Sequence, residues 1–143
     1  MKGTHKLKNI LLLSTLIIVL ILTGCASPPL AQENPVEYTS ISVETLQSMM
    51  NDRRESFLLV NSHIPFEGNL PTTDISIAYN ETAQNLAQFP EDKDSEIVLY
   101  CMSDAMSHTA GSQLVAEGYT NVKVLDGGMI AWQSAGGALD MEP

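Results

Sequence analysis

The chain has 143 residues, enough for one small domain. It carries 17 acidic residues against 7 basic ones, and after Lys2, Lys6 and Lys8 only Arg53, Arg54, Lys93 and Lys123 remain to oppose the acids, a net of −13 beyond position 25. That balance argues against nucleic-acid binding and against electrostatic docking on anionic lipid, and its field repels small anions.

Lys2, Lys6 and Lys8 precede Ile10–Leu22, an almost unbroken apolar run. The run is too short and too abruptly ended for a membrane span. It stops at Leu22-Thr23-Gly24-Cys25. Small residues before a cysteine, after such a run, resemble the lipobox of bacterial lipoproteins. The resemblance implies that residues 1–24 are a signal peptide and that Cys25, lipidated on its sulfur, begins the mature chain. The protein would then be exported and held by lipid on the outer face of a bacterial membrane or in the periplasm. An ordinary signal peptide or an uncleaved anchor is the plainer reading. With Cys25 acylated, Cys101 is the lone thiol in an oxidising compartment, and it needs shelter or a reducing partner.

Residues 25–37 hold Ser27-Pro28-Pro29 and Gln32-Glu33-Asn34-Pro35 without periodicity, as in a flexible tether. The domain, 38–143, then alternates strands and helices. Tyr38–Ile41 reads as a short strand, and Ser42 as the N-cap of a helix over Val43–Met50. Phe57–Val60 is a continuous apolar run, as in a strand covered on both faces. His63–Asp74 is turn-rich, Ile75–Ala78 a further short strand, Glu81–Gln88 a short helix ended by Pro90, and Glu91–Glu96 a solvated loop.

Ile97–Tyr100 is a second apolar run, and it delivers Cys101 to the loop Met102-Ser103-Asp104-Ala105-Met106 before a helix opens at Ser107 and runs to Glu117. Backbone N–H groups and the helix dipole favour a thiolate and any anion beside it in such a place. Gly118 takes the left-handed position after that helix. Val122–Leu125 is a third parallel strand, and Asp126-Gly127-Gly128 turns into a last helix, Met129–Ala135, with Trp132 facing the core. The alternation implies an α/β fold with a parallel sheet and right-handed crossovers.

Several of these pieces together resemble the rhodanese-like domain family. They are the Ile97–Cys101 run, the loop to Ser107, then Leu114-Val115-Ala116-Glu117-Gly118-Tyr119-Thr120-Asn121-Val122, and Leu125-Asp126-Gly127-Gly128-Met129-Ile130-Ala131-Trp132. The resemblance spans roughly residues 38–139 and implies a three-layer α/β fold, a small parallel sheet flanked by helices. It also implies sulfur transfer: the Cys101 thiolate takes a sulfane sulfur from a small donor, becomes a persulfide, and yields the sulfur to an acceptor thiol or cyanide. Met102, Ser103, Asp104, Ala105, Met106 and Ser107 would form the substrate-binding loop through their backbone, with the Ser107 hydroxyl as a further donor. No cofactor or metal is implied, and no nucleic acid.

Two departures from the family qualify this. The family's loop commonly has basic residues where Met102 and Met106 stand, and glycine near Asp104-Ala105. A unit charge at ~4 Å is worth about 1–4 kcal/mol, so exchanging cations for an acid weakens binding of a dianion such as thiosulfate by one to several powers of ten. After the Phe57–Val60 strand, where many members have Asp and then Arg, this chain has Asn61-Ser62-His63 and then Pro65-Phe66-Glu67-Gly68. Asn61, His63 and Glu67 lie at the edge where open α/β sheets place their sites, either as substrate or partner contacts or as a hydrogen-bonded turn. As metal ligands, His63 and Glu67, even with Asp74, are too few. His108 follows Ser107, either near the thiolate or facing solvent. Met102 and Met106 around Cys101 suggest either a soft-metal site or plain loop filling. A cysteine phosphatase is set aside, because the phosphate-holding arginine position, six after the cysteine, is Ser107. The alternative function is a catalytically weak or inactive module that binds a protein partner at the membrane surface.

Overall fold

The apolar runs Phe57–Val60 and Ile97–Tyr100 sit at the centre of the architecture in the computed structural model, which describes residues 37–142. The signal segment, Cys25 and nearly all of the proposed tether lie outside the described residues. The strands are β1 (Thr39–Ile41), β2 (Phe57–Asn61), β3 (Ile75–Ser76), β4 (Glu96–Tyr100) and β5 (Val122–Leu125). They form one all-parallel sheet in the order β1-β5-β4-β2-β3. Helices α1 (Val43–Arg53), α2 (Ala105–Ala116) and α3 (Gly128–Ser134) connect them.

The apolar runs Phe57–Val60 of β2 and Ile97–Tyr100 of β4 are covered on both faces, and period-2 alternation divides their side chains. Val98 and Tyr100 of β4 join Leu59, Leu46, Met49, Met129 and Trp132 in a cluster with α1 and α3. Ile97 and Leu99 join Val60, Val124, Ala110 and Leu114 in a second cluster with α2. The result is the expected three-layer fold. Ser42 caps α1, its hydroxyl accepting from Thr45 N at 3.3 Å. Gly118 takes φ +91° after α2. Among the described residues no helix is long and apolar enough to cross a membrane.

Four expectations are corrected. Helix α2 begins at Ala105, two residues before Ser107, so Ser107 sits in its first turn with a fully buried side chain. Glu81–Gln88 forms two 3-10 turns, Thr82–Gln84 and Leu86–Gln88, because only Thr82 in them is buried and no apolar stripe supports an α-helix. Strand β3 ends at Ser76 rather than Ala78. Glu96 is no part of a solvated loop: it opens β4 and pairs with Arg53 and, at 2.8 Å, with Lys123.

The Arg53 guanidinium, and Lys123 beside it, hold the Glu96 carboxyl below the ordinary glutamate range against the opposing effect of burial. A carboxyl lowered in the fold stabilises above its unfolded pKa, and that stabilisation is lost as pH falls through the folded value. Glu96→Gln is therefore expected to lower unfolding free energy at neutral pH by about 1 kcal/mol. Urea unfolding across an acid pH series should show the gap to wild type closing as the carboxyl protonates. A gap independent of pH would mean the ion pair is not its source.

Candidate functional site

Strand β4 ends at Tyr100, and Cys101 follows at the C-terminal edge of the sheet with only 1% of its surface exposed. Its sulfur lies 3.4 Å from the Ser107 hydroxyl, on the α2 side. Ser107 also donates to the Asp104 carbonyl at 2.9 Å. A hydroxyl has one proton, so it accepts from the thiol while bonded to Asp104, or turns its proton to a thiolate. The N–H groups of Met102 to Ser107 have no acceptor among the described residues, and the first helical bond of α2 runs from His108 N to the Asp104 carbonyl at 3.0 Å. A free helix start beside a thiol is the arrangement the sequence anticipates.

The loop is held from the other side by α3. Met129 N donates to the Cys101 carbonyl at 2.9 Å, and Ile130 N to the Met102 carbonyl at 3.0 Å. Asp104 does not cap α2 with its side chain. Its carboxylate accepts from Gly127 N at 2.7 Å, so this acid ties the cysteine loop to the β5–α3 turn. Gly128 makes this close approach: φ is +51°, and a Cβ there would lie 2.2 Å from the Cys101 carbonyl oxygen.

The other expected residues divide. Met102 packs against the α1–α3 core cluster, away from the α2 side where the thiol meets Ser107, which favours loop filling over a soft-metal site. Met106 is half-buried, while Ser103 and Ala105 are exposed. His108 neither bonds Cys101 nor faces solvent freely: its Nδ1 lies 3.0 Å from the Tyr38 hydroxyl, and the two rings pack edge to face. Asn61 is spent on its own loop, donating to the Gly68 carbonyl at 3.0 Å and to Asn69 at 2.9 Å, and accepting from His63 N at 2.9 Å. His63 Nε2 pairs with Glu67 at 2.6 Å. Asp74 is occupied by Arg54 and Leu59 N, both at 2.7 Å. Asp104, His108 and Asp126 each offer a ligand atom within 4.8 Å of the others, the group among the described residues best placed for a cation.

Ser62 is not among the residues expected at the site. It is fully buried, donates through its backbone to the Tyr100 carbonyl at 2.8 Å, and so stands beside the Tyr100–Cys101 step. Its signal is the strand period: it is two residues beyond Val60, on the α2 face.

Charge is sorted along the sheet. Arg53 and Lys123 meet at Glu96, Arg54 at Asp74, and Lys93 stacks on Tyr119 at 3.7 Å. All four are engaged away from the Cys101 loop, where Asp104 and Asp126 are the exposed charges.

Comparison with known proteins gives one consistent result. The model of the rhodanese-like domain matches residues 40–135. A sulfurtransferase of Allochromatium vinosum is 33% identical over 99 residues, covering 67% of this chain and 89% of its own. The solved structure of a rhodanese-related protein from Thermoplasma volcanium superposes with a TM-score of 0.62 at 20% identity, over 73% of this chain and 100% of its own. An NAD-dependent persulfide reductase from A. fulgidus superposes with a TM-score of 0.53 at 24% identity, over 66% of this chain and 16% of its own. The last two likenesses speak to fold alone.

Gly128→Ala should cost about 2 kcal/mol or more, since it adds both a clash with the Cys101 carbonyl and left-handed strain. Gly118→Ala, where φ is +91° and nothing lies within 4 Å of the added carbon, carries only the strain. Equal losses in urea unfolding would contradict the close approach of α3 to the cysteine loop.

Proposed function

Because the chain belongs to the rhodanese-like domain family, with a sulfurtransferase among its relatives, we propose that it transfers sulfane sulfur through a persulfide on Cys101. The observation that carries this is the placement of Cys101: the end of a buried parallel strand, 3.4 Å from a buried hydroxyl, before a helix start with unbonded N–H groups. With an organic persulfide R–S–SH as donor, the Cys101 thiolate attacks the outer sulfur. A new S–S bond forms to Sγ, the donor's S–S bond breaks, and its electron pair leaves with R–S⁻. The proton stays on the transferred sulfur or passes to solvent. An acceptor thiolate or cyanide then repeats the displacement. No net oxidation occurs, so no cofactor is required.

The donor class follows from charge. Every Lys and Arg among the described residues is engaged away from the loop. Dipoles and hydroxyls stabilise a single developing negative charge, but they do not offset the field that a dianion meets beside Asp104 and Asp126. An uncharged or singly charged persulfide is therefore favoured over thiosulfate. The same proposal places the domain outside the cytoplasm, tethered by lipid on Cys25. A second reading, a weak or inactive module docking a partner protein, draws on Ile64 and Phe66, 38% and 40% exposed on the β2–β3 connection.

The test uses the full-length protein in detergent, treated with an organic persulfide or with thiosulfate, capped with iodoacetamide and digested with trypsin. The Asp94–Lys123 peptide should gain about 32 Da over the capped thiol from the organic persulfide, and far less from thiosulfate. Cyanide added before capping should remove the gain, and Cys101→Ser should abolish it; an irreversible sulfinic acid, which iodoacetamide does not cap, would not give this mass. The same digest should yield an acylated Cys25 as the first residue. No cyanide-labile sulfur from either donor would overturn sulfur transfer and leave the docking module. An unmodified Cys25 would overturn the lipid tether.

A further inference from the structure

Two buried side-chain polar atoms lack a hydrogen-bond partner among the described residues, Ser62 Oγ and His63 Nδ1, and they are consecutive at the site's edge of the sheet. His63 is otherwise accounted for through Glu67. Ser62 is not: its N–H and carbonyl are bonded to Tyr100 and Tyr79, at 2.8 and 3.1 Å, while its fully buried hydroxyl meets nothing. An unpaired buried hydroxyl opposes folding and calls for a reason.

Its position supplies one. Asn61 pairs in register with Tyr100, so one step on Ser62 stands beside Cys101, on neighbouring strands about 4.8 Å apart. Val60, two residues before Ser62, lies in the α2 cluster, and alternation puts Ser62 on that same face. Cys101 meets Ser107 of α2, so its sulfur is on that face too. Ser62 and Ser107 thus share the Cys101 side of the sheet, Ser107 in contact with the thiol and Ser62 at the neighbouring strand position, and every Lys and Arg among the described residues is engaged elsewhere.

We propose that the Ser62 hydroxyl is a donor held in reserve for the Cys101 sulfur, as thiolate and as persulfide, and that with Ser107 it stands where a basic residue would otherwise stabilise the charge. This rests on the sulfur-transfer reading and deepens it, by setting the substrate class to donors that leave a single negative charge on Cys101. Ser107 must give up its bond to the Asp104 carbonyl to donate, whereas Ser62 gives up nothing. Ser62 is therefore the hydroxyl whose bond forms only in the reacting states, the kind of contact that accelerates a reaction.

The test compares full-length wild type with Ser62→Ala and Ser62→Thr. Ser62→Ala should melt no lower than wild type, because no partner is lost in the resting state. Its Cys101 should react with iodoacetamide about tenfold more slowly at fixed pH, and its persulfide, loaded from the organic persulfide, should be lost about tenfold faster. Ser62→Thr, which keeps the hydroxyl, should stay within about threefold of wild type on both. Unchanged alkylation and persulfide lifetime in Ser62→Ala would overturn the proposal, as would equal losses in the alanine and threonine variants. A wild type that takes up no sulfur sinks the transferase reading instead. The alkylation rates then decide the role of Ser62: slowing in the alanine variant alone supports it, and no slowing overturns it.

Discussion

Helix α3 is bolted to the cysteine loop through backbone, and the geometry of the site depends on that bolt. Met129 and Ile130 give their N–H groups to the carbonyls of Cys101 and Met102, and Gly127 gives its own to Asp104. These amides belong to the first turn of a helix and would otherwise lack partners. The loop carbonyls are drawn toward α3 while the loop's own amides, from Met102 to Ser107, have no acceptor among the described residues. A peptide whose carbonyl is fixed on one side has its N–H fixed on the other, so the clamp on one face sets up the donors on the opposite one. No side chain fits at Gly128 because the Cys101 carbonyl occupies the space.

The clamp also explains how an acid is tolerated in the loop. Asp104 in isolation is a repulsive charge beside a nucleophile. Bonded to Gly127 N it is part of the framework, and its charge is shared with the turn into α3. The thiol is meanwhile sheltered, at 1% exposure. The described cations brace other parts of the sheet, most clearly where Arg53 and Lys123 close on Glu96. On the proposed reading hydroxyls take their place at the reactive end, and a site built this way is poorly matched to dianions and well matched to a single delocalised charge on sulfur.

Much of this was legible in the chain because it depends on local pattern. The runs Phe57–Val60 and Ile97–Tyr100 have no polar face, which only a doubly covered strand explains, and Ser42 and Gly118 mark helix ends by their own chemistry. What escaped depends on pairing between distant segments. Glu96 looks like the end of an acidic loop until Arg53 and Lys123 are brought to it. The start of α2 lacks its usual sequence mark because Asp104, at its N-cap, spends its carboxylate on the turn into α3 rather than on the helix. Ser62 is a small polar residue after an apolar run, and only the β2–β4 register sets it beside Cys101.

A crystal structure of the Cys101 persulfide would test the central claim most directly. The account predicts that the terminal sulfur lies within hydrogen-bonding distance of the loop N–H groups and of both the Ser62 and Ser107 hydroxyls, with Asp104 still on Gly127 and no cation in the shell. A terminal sulfur turned away from the loop amides, or one held by a basic side chain, would contradict it.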